Sequence, residues 1–442
     1  MDSSEVKSKL QERIFNFFVE SHDFNGIPLC ELQEEFNKPI KFIIDLVKEL
    51  VVDGNVSIQS STNPHIIGFQ HYPTDIQLKI LEEAKTIEYT EERIGNIIFK
   101  SLNTEFPICL YPSQALLKEK RDVSKLLDAP YTLQLALAEP HLKPIFFEIE
   151  VLDRYFSDPR YDFDFRDYSG SISCRYDEDE NPIVRDEDRV FVKTFGLGFD
   201  SHDNRLAVVY LRYLKGLTKE HQAFWKSKES KTPGKVLREY HENSIMGNWT
   251  FSHSIFSALL GELTTLNKLA TAVFGRKLFR EDFEDGKRPR EFTFFFTPTL
   301  KNYNEFVLLL DKVLSENINK DFFKGEIELY EYQNVSEGIV ERKQKGTLTL
   351  LEEWLTARFH AQNMDLMKEL FKPLKKIRRE RQNPAHRINE NKYNKTYIEQ
   401  QKKIMKEAYN SIRAFREIFG QHPKAKDVEI PRWLEKGRII LF

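Results

Sequence analysis

Apolar residues recur at intervals of three and four through the first fifty positions, and this periodicity predicts three helices. Leu10, Ile14, Phe17 and Phe18 form the first stripe, and Asn25-Gly26-Ile27-Pro28 interrupts it. Leu29, Leu32 and Phe36 mark a short second helix. Pro39 suits the first position of a third helix, whose stripe is Ile40, Ile43, Ile44, Val47, Leu50 and Val51, ended by Asp53-Gly54. The period then drops to two, so Val56–Gln59 and residues 66–70 are expected as strands, with 60–64 as the tip between them.

This order over residues 1–85 resembles a winged helix-turn-helix domain. Such a domain reads DNA with its third helix, or serves for dimerisation or for contact with another protein. From Met1 to Ile80 there are seven basic and twelve acidic residues. That balance is poor for a surface that must displace phosphate counterions. Lys38, Lys41 and Lys48 offer a local patch, which Asp45 and Glu49 interrupt.

Residues 86–341 mix strand and helix patterns and are expected to form an α+β domain of unassigned role. Residues 144–151, 161–165, 171–176, 189–195 and 291–296 read as strands; Ile255–Phe274 and residues 303–314 read as helices. Residues 226–235 are the best loop candidate. The acidic run at 177–188 is contiguous, bounded by Pro182 and without the central glycine of a calcium loop, so it reads as a solvated hairpin tip. Phe224 and Trp225 read as core and the lone His221 as a surface or hydrogen-bonded residue, and no glycine-rich phosphate loop or internal repeat is visible.

Composition narrows the class. Of 442 residues, 40% are hydrophobic and 31% charged, too apolar for a disordered chain. No apolar run reaches the roughly 18 residues of a membrane helix. The N-terminus lacks a secretory pattern, and Cys30, Cys109 and Cys174 lie far apart, so a reduced, cytoplasmic protein is expected. The net charge of −3 divides unevenly: residues 341–442 carry +11 and the rest −14. Nucleic acid is therefore expected at the C-terminal end.

That end, residues 342–442, reads as all-helical. Thr349 with Glu352 is a capping box, and Leu350, Leu351, Trp354, Leu355 and Phe359 give the apolar face. A second helix begins near Asp365. At about 100° per residue, Leu370, Leu374, Ile377 and Arg381 fall on one stripe, whereas Arg379 points nearly the opposite way. A charged residue on a packing stripe needs a partner or a function. Asn383-Pro384-Ala385-His386 then breaks the helix, with Asn383 a good cap for a helix beginning at Pro384, and a last long helix runs from about Thr396 to Gly420.

Arg381-Gln382-Asn383-Pro384-Ala385-His386, between a basic helix and a long amphipathic one, resembles the R-x(4–6)-H motif of the higher eukaryotes and prokaryotes nucleotide-binding (HEPN) superfamily. The resemblance covers residues 347–422, about a sixth of the chain. It implies a helical bundle and metal-independent RNA cleavage in a cleft between two protomers, without a cofactor. It further implies a toxin-like role in bacterial anti-phage or abortive-infection defence, released by a protein or ligand trigger. Arg381, His386 and Asn383 are the candidate catalytic residues. Gln382 holds the place after the arginine, where the family often has a polar residue. The chemistry suits the residue types: His386 titrates near neutrality and can accept a ribose 2′-hydroxyl proton, and Arg381 offers permanent donors to phosphoryl oxygens. Products would be a 2′,3′-cyclic phosphate and a 5′-hydroxyl. Lys375, Lys376, Arg378, Arg379 and Arg387 would bind the RNA backbone. The alternative is a non-catalytic HEPN-like dimeric regulator with a winged-helix DNA- or protein-binding domain, in which Arg381 pairs with a carboxylate across the bundle and His386 caps a helix.

Overall fold

The computed structural model describes residues 2–59, 63, 66–86, 89–95, 97–102, 108–283, 288–336, 339–359, 364–382 and 390–441. The architecture is mixed α+β. The chain divides into two compact units: residues 1–151, 158–163 and 171–236 form the first, and 152–157, 164–170 and 237–442 the second. The expected boundaries at 85/86 and 341/342 both fall inside a unit.

The first unit opens with α1 (Ser3–Glu20), β1 (Ile27–Pro28), α2 (Leu29–Phe36), α3 (Ile40–Val52) and β2 (Val56–Gln59). Asp2 caps α1 through its carboxylate, and Pro39 stands at the N-cap of α3, one residue before the helix. Leu10, Ile14, Leu32, Ile43, Val47 and Ile58 are fully buried in one core. Then follow α4 (Thr74–Glu83), the hairpin β3 (Tyr89–Ile94)–β4 (Ile97–Leu102), and β5 (Cys109–Pro112). The three-stranded sheet has the order β1-β5-β2, antiparallel throughout, with Ile27 opposite Leu110 and Ile58 opposite Leu110 on the other side. Gly26 approaches this sheet so closely that a Cβ there would lie 2.6 Å from the Tyr111 ring.

The strand expected at 66–70 is absent, and β5 takes its place beside β2. The other edge of β2 is closed by Gln77 of α4, whose Oε1 accepts from Ile58 N at 3.0 Å. The backbone at 67–68 is committed elsewhere. Ile67 N donates to His141 Nδ1 at 3.2 Å, and Ile67 O and Gly68 O accept from His141 N and Leu142 N.

Beyond β5 lie α5 (Gln114–Lys120), α6 (Pro130–Ala136) and β6 (Pro144–Glu148), then α7 (Asp153–Ser157) of the second unit. β7 (Tyr161–Arg166), β8 (Ser169–Cys174), β9 (Phe191–Asp200) and β10 (Arg205–Tyr210) join β6 in a sheet ordered β6-β10-β9-β8-β7. α8 (Leu211–Leu214) and α9 (Lys219–Ser227) follow, and β11 (Gly234–Val236) pairs with β9. Phe147 meets Trp225 edge-on at 4.8 Å in the core. His221 is buried on α9 rather than at the surface, and 178–183 is an exposed or half-buried turn.

The second unit contains α10 (Arg238–His241), β12 (Ser252–Ser254), α11 (Ile255–Phe274), α12 (Leu300–Val313), the hairpin β13 (Tyr330–Ser336)–β14 (Ile339–Gln344), α13 (Thr347–Arg358), α14 (Met364–Gln382), α15 (Thr396–Gly420), α16 (Arg432–Lys436) and β15 (Arg438–Ile440). β12 and β15 pair in parallel. α11 packs on α15, and α14 packs on α12, α13 and α15. The bundle therefore draws two helices from the part of the chain expected to be a middle domain. Thr349 lies in the first turn of α13, and Gly346 holds the N-cap position. Residues 291–296 are not a strand: Gln401 of α15 bonds Thr293 O at 3.0 Å and Phe295 N at 3.3 Å, taking the groups a ladder would use.

Candidate functional site

α14 presents Phe371, Leu374 and Ile377 to the bundle as fully buried residues. One turn further along this stripe, Arg381 meets Asp311 and Glu316 instead of apolar neighbours. Its Nη1 lies 2.6 Å from Asp311 Oδ2 and also donates to Glu316. Arg378 Nη1 reaches the same Asp311 oxygen at 3.1 Å. Asp311 belongs to the inner face of α12, its side chain has no exposed surface, and its Oδ1 has no hydrogen-bond partner among the described residues. These carboxylates hold the Arg381 guanidinium more firmly charged than usual, through the Asp311 and then the Glu316 hydrogen bond. Two arginines in the last turns of α14 also complement its dipole.

Arg381 keeps 28% of its side chain exposed. Both described bonds use Nη1, so Nε and Nη2 have no partner among the described residues. Near it, Tyr303 of α12 donates to Glu380 at 2.7 Å and stacks on Tyr397 at 5.4 Å. Burial, then Glu380, raises the Tyr303 phenol well above its ordinary range.

The expected phosphate track is largely paired. Lys375 lies 2.6 Å from Glu352, Lys376 lies 3.4 Å from Glu407, and Arg378 is on Asp311. Arg379 is exposed on the far face, as the periodicity predicts, and no carboxylate pairs with it among the described residues. His386, Asn383 and Arg387 lie outside the described residues. The chain on their far side is anchored to the start of α12: Leu300 N donates to Lys392 O at 2.9 Å, and Asn394 N to Pro298 O at 2.9 Å.

Asp311, Glu316 and Tyr303 are not singled out by the sequence pattern. Asp311 had a visible signal, since it follows Val307 at helical spacing among Phe306, Leu310 and Val313. Glu316 and Tyr303 had none.

A second ionisable cluster gathers at the start of α11. Asp167, at φ +54° in the turn between β7 and β8, accepts from His253 Nδ1 at 3.1 Å, Ser254 N at 2.8 Å and Ser254 Oγ at 2.7 Å. Burial works against its charge, but the bonds from His253, Ser257 and Ser254 outweigh it and hold the carboxyl down at about 2. Arg288 bonds Ser257 Oγ at 3.1 Å, and the His253 ring lies 4.1 Å from Trp433.

Compared with protein-family models, curated proteins and solved structures, the chain matches none. Among the described residues, no cluster of His, Cys, Asp and Glu could hold a metal ion, and no helix is long and apolar enough to cross a membrane.

Proposed function

We propose that the chain is a metal-independent endoribonuclease of HEPN type, acting as a homodimer, with an N-terminal winged helix. The observation that carries this reading is the posture of Arg381. One guanidinium nitrogen is fixed by a buried carboxylate, and Nε and Nη2 have no partner among the described residues where α14 ends. A permanently charged donor held in place before reaction is what stabilises charge on a pentacoordinate phosphate. His386 would accept the 2′-hydroxyl proton, and Asn383 would support the turn between them. The β1-β5-β2 sheet, with β1 between α1 and α2 and with β2 and β5 after α3, supports the winged-helix reading, with a long insertion between the two wing strands.

Single-turnover cleavage of a labelled single-stranded RNA in excess EDTA tests the proposal. Arg381→Ala and His386→Ala should each lower the rate by about 10²–10³, with 2′,3′-cyclic phosphate ends from the wild type. Full cleavage by Arg381→Ala overturns the assignment.

The pairing of Lys375, Lys376 and Arg378 with carboxylates favours a second reading, a non-catalytic HEPN-like regulator. Salt-dependent duplex binding that survives His386→Ala, with no RNA cut, would select it.

A further inference from the structure

A cavity of about 270 Å³ opens in the second unit beside α12, room for roughly nine waters. Its wall is aromatic: Phe156 of α7, Phe294, Phe295 and Phe296 of the irregular segment, and Phe306 of α12. The rings meet edge to face, Phe156 with Phe296 at 5.0 Å and Phe295 with Phe306 at 5.7 Å. The lining is apolar and aromatic, which suits a flat guest. Gln401 fixes the segment's backbone, so the wall is preformed.

The rim carries charge of mostly one sign. Asp153, Glu291 and Glu305 line it, against Lys312. Asp153 accepts from Thr297 Oγ1 at 3.0 Å, and Glu305 has Lys301 3.8 Å away. Glu291 has no ion-pair partner among the described residues. The wall already tolerates a cation: the Arg290 guanidinium stands 5.5 Å above Phe156, tied to Tyr155 O and Phe156 O at 2.7 Å each. Thr293 also lines the cavity, and its Oγ1 is buried without a hydrogen-bond partner among the described residues. A buried hydroxyl left unmatched is costly unless something bonds it.

We infer that this cavity is a binding site for a small arylalkyl ammonium ion, its ring against Phe294–Phe296 and Phe306 and its ammonium at Glu291. An aromatic wall with a carboxylate rim selects such an ion because the wall takes its ring and the rim attracts its ammonium. A carboxylate guest would meet Glu291, Glu305 and Asp153 as like charges. The site is independent of Arg381, which engages Asp311 on another face of α12.

The test is calorimetric titration of the whole chain with 2-phenylethylamine, which is protonated at neutral pH. 2-Phenylethanol and 3-phenylpropionate serve as neutral and anionic counterparts of similar shape. The amine should bind once per chain with a Kd no weaker than about 1 mM. The alcohol should bind about tenfold more weakly, and the acid should not bind. Glu291→Gln, at an exposed position, should weaken the amine about tenfold and leave the alcohol unchanged. Leu309→Trp, which fills the cavity, should abolish both while the melting curve stays cooperative. Equal binding of amine and acid, no binding of the amine, or amine binding untouched by both Glu291→Gln and a folded Leu309→Trp would each overturn the inference.

Discussion

Asp311 faces two guanidinium groups with no exposed surface of its own. Its position makes it an anchor whose loss is felt in stability before chemistry. Removing one partner of a dry ion pair costs about 3–5 kcal/mol. Both arginines reach solvent, so Asp311→Asn should cost less, about 2–3 kcal/mol, read from the urea midpoint at neutral pH. No change in midpoint would mean the clasp carries no weight. Asp167 gives a pH-dependent counterpart. Its carboxyl is depressed from 3.8 to about 2 in the fold. The unfolded chain therefore binds the proton more readily, and the stabilisation is complete above pH 4 and lost as pH falls towards 2. It amounts to about 2 kcal/mol. Asp167→Asn should lose this stability near pH 6 and flatten the acid limb of the stability profile; an unchanged limb would assign it to other carboxylates.

At the level of elements, local period decided what could be foreseen. α1, α3, α11 and α12 lie where their apolar stripes place them, because a helix satisfies its backbone within itself. Strand partners are chosen at long range. Val56–Gln59 has the alternation of a strand, but nothing near it says that Cys109–Pro112, about fifty residues on, will pair with it. Residues 66–70 have the right pattern too, and lose their ladder to His141. The consecutive phenylalanines at 294–296 mimic a strand whose groups a glutamine from α15 captures. Arg381 was legible as a misfit on its stripe, but its partners lie 65 and 70 residues away. His141 supplies the test at this scale. Burial pushes its imidazole down from 6.5 to about 4, between Ile67 N and the Asp23 carbonyl. A lowered folded pKa means that the unfolded chain takes the proton first, so stability is present above pH 6.5 and drains between 6.5 and 4. Denaturant midpoints across that window should fall in wild type by about 3 kcal/mol at most. They should fall less in His141→Asn, and equal slopes would contradict the assignment. Glu262 and Arg416, 2.5 Å apart and buried where α11 meets α15, form a second determinant. Glu262→Ala should cost about 3–5 kcal/mol, and the double change Glu262→Met with Arg416→Leu much less. A double variant as weak as the single one would show the pair to be net stabilising.

For the molecule as a whole, the open question of scale is how many chains make the proposed cleft. Arg381 on a packing stripe suggests a second copy when the sequence is taken alone, since a lone charge there needs an answer. Asp311 and Glu316 supply that answer within one chain, so the proposed homodimer must rest on surface. α14 and α15 offer one: a groove of about 540 Å³ lined by Leu366, Met367, Leu370, Pro373 and Ile418, with Leu366 65% exposed. Exposed apolar surface of this kind, rimmed by Glu369 and Glu407, gains about 25 cal/mol per Å² when covered. The groove is built from α14 and α15 together, so a two-fold contact through it would pair these helices with those of a second chain. Light scattering at micromolar concentration should therefore return the mass of two chains. Leu366→Asp should return one chain, because it places a charge in the contact while leaving Phe371, Leu374 and Ile377 of the core untouched. If cleavage needs a composite cleft, it should fall in parallel with the dimer fraction across a dilution series. A wild-type monomer that cuts RNA at full rate would separate the chemistry from the assembly.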